Sequence, residues 1–110
     1  MPAAQTPQIF KGVVIAQASI LAPSALALTV DSDTEITLDW TDGATAGDIL
    51  IERSLDGVVF EEIATVALAV ETYQDTELEP ETEYFYRIRA YYLPKGYSAY
   101  SDIESDTTDA

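Results

Sequence analysis

With 110 residues the chain has room for one two-layer core and not for two, and 47% hydrophobic residues exclude a disordered chain despite a net charge of −15. Twenty acidic side chains against five basic ones argue against nucleic acid and anionic lipid as partners, because both are bound by neutralising phosphates with Lys and Arg. The sequence has no His and no Cys, so it lacks the commonest general base, the commonest transition-metal ligands and any disulfide framework. No enzyme, cofactor or metal site is expected from such a composition.

Residues 1–22 carry no acid, whereas all twenty acids fall between Asp31 and Asp109. Pro2 and Pro7 disfavour a helix, and Ile9-Phe10-Lys11-Gly12-Val13-Val14-Ile15 has strong β-propensity. The bland reading is a leader or a loose terminus. The reading preferred here is an extended arm, residues 1–22, that adds a strand to its own sheet or to a neighbour's open edge. Ile9, Phe10, Val13, Val14 and Ile15 are then its contacts with a protein partner. The apolar run from Gly12 to Ala22 is interrupted by Gln17 and Ser19 and is too short to span a bilayer, so no membrane insertion is expected. Lys11 and Ala25-Leu26-Ala27 imitate a signal peptide, but the stretch before the apolar run is long and carries a single side-chain charge.

Pro23 opens a domain over residues 23–110. Leu26, Leu28 and Val30 alternate as a first strand, followed by the polar turn Asp31-Ser32-Asp33. Ile36, Leu38 and Trp40 alternate in the second. After the loop 42–48, Ile49, Ile51 and Arg53 share one face of a third strand and Leu50 and Glu52 the other. Ser54-Leu55-Asp56-Gly57 reads as a hairpin turn, since Asp-Gly tolerates positive φ. Val58 to Val66 is expected as a strand with Phe60 and Ile63 in the core, and Val70 to Tyr73 as a short one. In Tyr84 to Tyr91, Tyr84, Tyr86, Ile88 and Ala90 fall on one face and Phe85, Arg87, Arg89 and Tyr91 on the other, the period of a half-buried strand. Leu93-Pro94-Lys95-Gly96 turns the chain into a last strand, Tyr97 to Thr107. Seven short strands between turn signals predict an all-β sandwich.

Several of these pieces carry a resemblance. Trp40, the run Ile49 to Gly57, Phe60 to Val66, Tyr73-Gln74-Asp75-Thr76, the corner Leu78-x-Pro80-x-Thr82-x-Tyr84, Tyr97-Ser98-Ala99-Tyr100-Ser101 and Thr107-Thr108 together resemble a fibronectin type III domain of the bacterial or phage kind, over residues 23–108. The resemblance implies an immunoglobulin-like, seven-stranded antiparallel β-sandwich with sheets A-B-E and C′-C-F-G, here with an N-terminal extended arm. It implies Trp40, Tyr84, Tyr86 and Ile88 in the core, and Tyr84 tying its hydroxyl to the preceding corner. It also implies a noncatalytic module used for spacing, adhesion or assembly.

Three groups are candidates for more than structure. Tyr91, Tyr92, Tyr97 and Tyr100, with Lys95 among them, surround the turn between the last two strands. Tyrosine offers contact area at low entropy cost, so Tyr92, Lys95, Tyr97 and Tyr100 are candidate contacts for a protein or a glycan, against the plainer reading that they brace cross-strand neighbours. The acids cluster as Asp31, Asp33 and Glu35 and as Asp39, Asp42 and Asp48, but without the Gly and terminal Glu of a calcium loop they read as a solvated surface. Arg87 and Arg89 are expected to pair with Glu52 across neighbouring strands, a structural role.

Two functions follow. The first is a structural or decoration subunit of a larger assembly, expected to be a phage virion, docked through residues 1–22 onto its own kind or another subunit. The alternative is a protein- or carbohydrate-binding accessory module of a secreted bacterial enzyme or adhesin. The expected location is accordingly virion or extracellular.

Overall fold

The computed structural model describes residues 20–44 and 46–110. The strand expected within residues 9–15 lies outside the described residues. Eight β-segments run in order: β1 (Ser24–Val30), β2 (Ile36–Thr41), β3 (Asp48–Ser54), β4 (Glu61–Val66), β5 (Thr72–Asp75), β6 (Glu83–Tyr92), β7 (Gly96–Tyr97) and β8 (Glu104–Thr107). They form a three-stranded sheet in the order β1-β2-β5 and a five-stranded sheet in the order β4-β3-β6, with β7 and β8 both pairing β6. Every pairing is antiparallel. This is the A-B-E and C′-C-F-G arrangement that the resemblance implied, with β7 and β8 as two pieces of one broken last strand. No helix among the described residues is long and apolar enough to cross a membrane.

Period-two alternation produces the core directly. Ile36, Leu38 and Trp40 of β2 face Ile49 and Ile51 of β3 and Tyr84, Tyr86, Ile88 and Ala90 of β6, all buried, with Leu26 and Leu78 closing the sides. Packing two apolar faces in this way removes each from water and is the dominant favourable contribution to the fold. Ile20 already rests on the cluster, so the packed body begins a few residues before Pro23.

The end of the sandwich opposite the β6–β7 turn is bound together by polar groups. The Tyr84 hydroxyl accepts from the Glu79 backbone N–H at 2.9 Å, as the corner motif predicts. Thr108 is buried beside it; its hydroxyl donates to the Glu79 carbonyl at 2.6 Å and accepts from the Thr82 N–H at 3.0 Å. In the β3–β4 turn the Ser54 hydroxyl accepts from the N–H groups of Asp56 and Gly57, and Asp56 Oδ1 accepts from those of Val58 and Val59. Gly57 sits at φ 76°, where a side chain would also press on the Phe85 ring.

Three expectations need correction. Phe60 is not in the core: the chain from Leu55 to Phe60 is consumed by the side-chain-bonded turn, β4 starts only at Glu61, and the Phe60 ring lies under Arg87 on the outer face. Ile63 does pack on the core. The strand expected at Val70–Tyr73 forms at Thr72–Asp75, because Ala67 to Val70 closes a turn through the Val70 N–H and the Ala67 carbonyl at 3.1 Å. The last strand is not continuous from Tyr97 to Thr107; residues 98–103 leave the ladder between β7 and β8.

Candidate binding surface

On the outer face of the five-stranded sheet the carboxylate of Glu52 is buried, at 7% exposure. Register places Glu52 directly opposite Arg87, with Leu50 opposite Arg89. Arg87 Nε donates to Glu52 Oε1 at 2.8 Å, and the Tyr100 hydroxyl donates to Oε2 at 3.0 Å; Arg89 lies 3.9 Å from the same oxygen. Above this anchor the side chains stack alternately. Arg89 Cζ is 3.8 Å from the Tyr97 ring centre and 4.5 Å from that of Tyr100, and Arg87 Cζ is 3.8 Å from Tyr100 and 4.2 Å from Phe60. The order Tyr97–Arg89–Tyr100–Arg87–Phe60 is a ladder of guanidinium planes between rings, each contact contributing about 0.5–1 kcal/mol. Burial and the Glu52 hydrogen bond raise the Tyr100 hydroxyl above its ordinary pKa, so it stays a donor.

A repeat of three, not two, brings Tyr97 and Tyr100 to the same face. Ser98 and Ser101 follow that repeat too. Their hydroxyls accept from the N–H groups of Ala90 (2.8 Å) and Ile88 (3.0 Å), and their own N–H groups donate to the carbonyls of the same two residues at 2.9 and 2.8 Å. Side-chain oxygens thus stand in for the ladder carbonyls that a regular strand would offer β6. The motif Tyr97-Ser98-Ala99-Tyr100-Ser101 is therefore a device for attaching the broken strand.

The sequence candidates divide accordingly. Tyr100 is held by two guanidiniums against its ring and by Glu52 at its hydroxyl. Tyr97 leans on Arg89 and, at 4.7 Å between centres, on Tyr91, yet remains 55% exposed. Tyr92 and Lys95 lie elsewhere, at the end of the sandwich, where with Ile20, Leu21, Gly43, Ala44 and Ala46 they line a cleft of about 270 Å³. The loop before β3 is pressed against that end: Gly47 sits at φ 97°, and a Cβ there would come within 2.5 Å of the Tyr91 carbonyl oxygen. Leu21 and Leu93 add exposed apolar surface around the opening. Ile9, Phe10, Val13, Val14 and Ile15 lie outside the described residues. Among the described residues no group of three or more His, Cys, Asp or Glu is placed to hold a metal ion.

Sequence reasoning missed Asp75, which is 4% exposed and joins the two sheets. It accepts from Arg53 Nη1 at 3.0 and 2.9 Å and from the Tyr86 hydroxyl at 2.7 Å. Arg53 falls on the inner face by the same alternation that put Ile49 and Ile51 there, and an inward arginine is the signal that asks for such a partner.

No protein-family model matches the chain, and no curated protein matches it. Solved structures do. The chain is similar to part of a β-1,2-glucanase from Parabacteroides distasonis (23% identity, TM-score 0.69), covering 84% of this chain and 14% of that one. It is similar to domains A168–A170 of titin (15% identity, TM-score 0.72), covering 97% of this chain and 35% of that one. It is also similar to the sixth fibronectin type III domain of the human fibronectin type III domain containing protein 3 (18% identity, TM-score 0.66), covering 79% and 83%. The chain thus spans a minor part of the glucanase and titin chains and most of the single human domain. At these identities the likeness establishes the fold: an all-β, immunoglobulin-like sandwich of the fibronectin type III kind.

Proposed function

We propose that this chain is a noncatalytic protein-binding module, an accessory unit of the bacterial kind working outside the cell, and that it makes contact through the loop end. One observation carries the reading: the apolar cleft of about 270 Å³ between the 42–47 loop and the β6–β7 turn, with Tyr92 in its wall and exposed Leu93 and Tyr97 nearby. A concave, mostly apolar site with few polar groups suits recognition, and rigidly based tyrosines lose little entropy on contact. The occurrence of the same fold as a minor part of a β-1,2-glucanase chain supports an accessory role.

The test is affinity capture with the immobilised full chain, beside a glycan array, for the wild type, Tyr92→Ala and Tyr97→Ala. Saturable protein binding reduced tenfold or more by either substitution, in chains that still fold, is the expected result. Binding to glycans alone would turn the module into a carbohydrate reader; protein binding indifferent to both substitutions would contradict the loop-end assignment.

A second reading, a phage structural subunit docked through an arm, is favoured by the acid-free, β-prone composition of residues 1–22. Removing residues 1–19 spares Ile20 on the core, and a chain so shortened that still joined its assembly would sink it.

A further inference from the structure

A second surface lies at the other end of the sandwich. Leu55, Val58 and Val59 sit on the β3–β4 turn with 68%, 78% and 73% of their surfaces exposed, three large apolar side chains within five residues. Scattered single apolar residues are ordinary on a surface; a contiguous group on one turn is not. The turn is also fixed. Four backbone N–H groups, those of Asp56, Gly57, Val58 and Val59, are held by the Ser54 hydroxyl and Asp56 Oδ1. The bonds from the Val59 and Val58 N–H groups, with one from the Ser54 hydroxyl, hold the Asp56 carboxyl below the ordinary carboxylate range, so it accepts at any physiological pH. A fixed turn displaying apolar groups has little ordering entropy left to lose on binding.

Beside the turn is a cleft of about 460 Å³, walled by Leu55, Val59 and Phe60 on one side and by the β5–β6 corner on the other. Glu61, Glu77 and Glu79 line it. Its one cation, Arg53, is already committed to Asp75, so the field inside is negative. The corner is held in place by the Tyr84 hydroxyl on the Glu79 N–H and by the Thr108 hydroxyl on the Glu79 carbonyl.

We propose that this turn and cleft form a docking site for a partner segment that alternates apolar and basic residues. Its apolar side chains would sit on Leu55, Val58 and Val59, and its Lys or Arg side chains would face Glu61, Glu77 and Glu79. Charge complementarity decides the occupant. Residues 23–110 of a second copy hold all twenty acids and would bring them to an acidic rim, whereas a basic segment is drawn in at long range and oriented by the same field. The proposal rests on reading the chain as a protein-binding module and adds the partner's chemistry and a second contact.

The test is an amide chemical-shift titration of the full isotope-labelled chain with a short peptide of alternating Leu and Lys. Peptides of alternating Ser and Lys and of alternating Leu and Glu serve as controls. The expected result is shifts confined to residues 54–61 and 77–79, with affinity falling several-fold in raised salt or in E77Q/E79Q, and at least tenfold in L55S/V59S. Those leucine and valine side chains are exposed, so the variant keeps its fold. Equal binding of the Ser–Lys peptide with shifts scattered over the acids would overturn the site as mere charge attraction, and absence of shifts would overturn it outright. Shifts at Tyr92, Lys95 and Tyr97 would reject this site while leaving the loop-end module intact.

Discussion

Asp75 is a carboxylate taken out of water in the company of one guanidinium and one phenol, and each of the three depends on the other two. Burial, followed by the Asp75 hydrogen bond and charge, raises the Tyr86 hydroxyl far above the ordinary 10.0. The folded state therefore favours the neutral phenol, and the sign of the pH dependence follows. This stabilisation is whole below pH 10.0, where the unfolded tyrosine is also neutral, and is lost as pH rises past it and the unfolded chain releases the proton more readily. Alkaline unfolding monitored by circular dichroism should begin near pH 10, and Tyr86→Phe should flatten that limb. The same substitution should cost about 2 kcal/mol at neutral pH, the net value of a buried hydrogen bond to a charged group, measured by urea unfolding. A Tyr86→Phe protein as stable as wild type would mean that Asp75 is satisfied without the phenol.

The element whose behaviour departs most from its sequence pattern is the last strand. Alternation predicts Tyr97 and Tyr100 on opposite faces; the attachment through Ser98 and Ser101 sets a repeat of three and stacks both tyrosines on Arg89 and Arg87. Propensity rules read residue types, and serine reads as a weak strand former, so the substitution of hydroxyls for ladder carbonyls is invisible until β6 is beside it. The strand β6 was legible because one alternating pattern fixed its core face, its Arg face and its corner together. Phe60 was misplaced because Asp56 bonds three residues of the turn and shifts the start of β4. Replacing Ser98 by Ala should leave the buried Ala90 N–H without its side-chain acceptor and cost about 2 kcal/mol. Hydrogen exchange at Ala90 and Ile88 should accelerate in that variant before exchange in β3 does.

For the molecule as a whole, twenty acids against five bases repel one another in the compact state. Added sodium chloride should raise the melting temperature, since screening relieves exposed like charges more than it weakens the half-buried pairs of Asp75 and Glu52. A melting temperature that falls with salt would instead give those pairs the larger share. Charge and alternation revealed the architecture early, but the division of the tyrosines into supports and contacts needed the register between β6 and the residues after it. Thermal unfolding of Tyr100→Ala and Tyr92→Ala side by side separates a tyrosine that supports the fold from one that is free to make contacts. Removing the Tyr100 ring takes away two guanidinium contacts and the hydrogen bond to Glu52, so Tyr100→Ala should lose about 2 kcal/mol, roughly 10 °C. Tyr92→Ala, at the rim of the cleft, should stay within about 0.5 kcal/mol of wild type. The reverse order, with Tyr92 holding the fold and Tyr100 dispensable to it, would contradict the assignment of both surfaces.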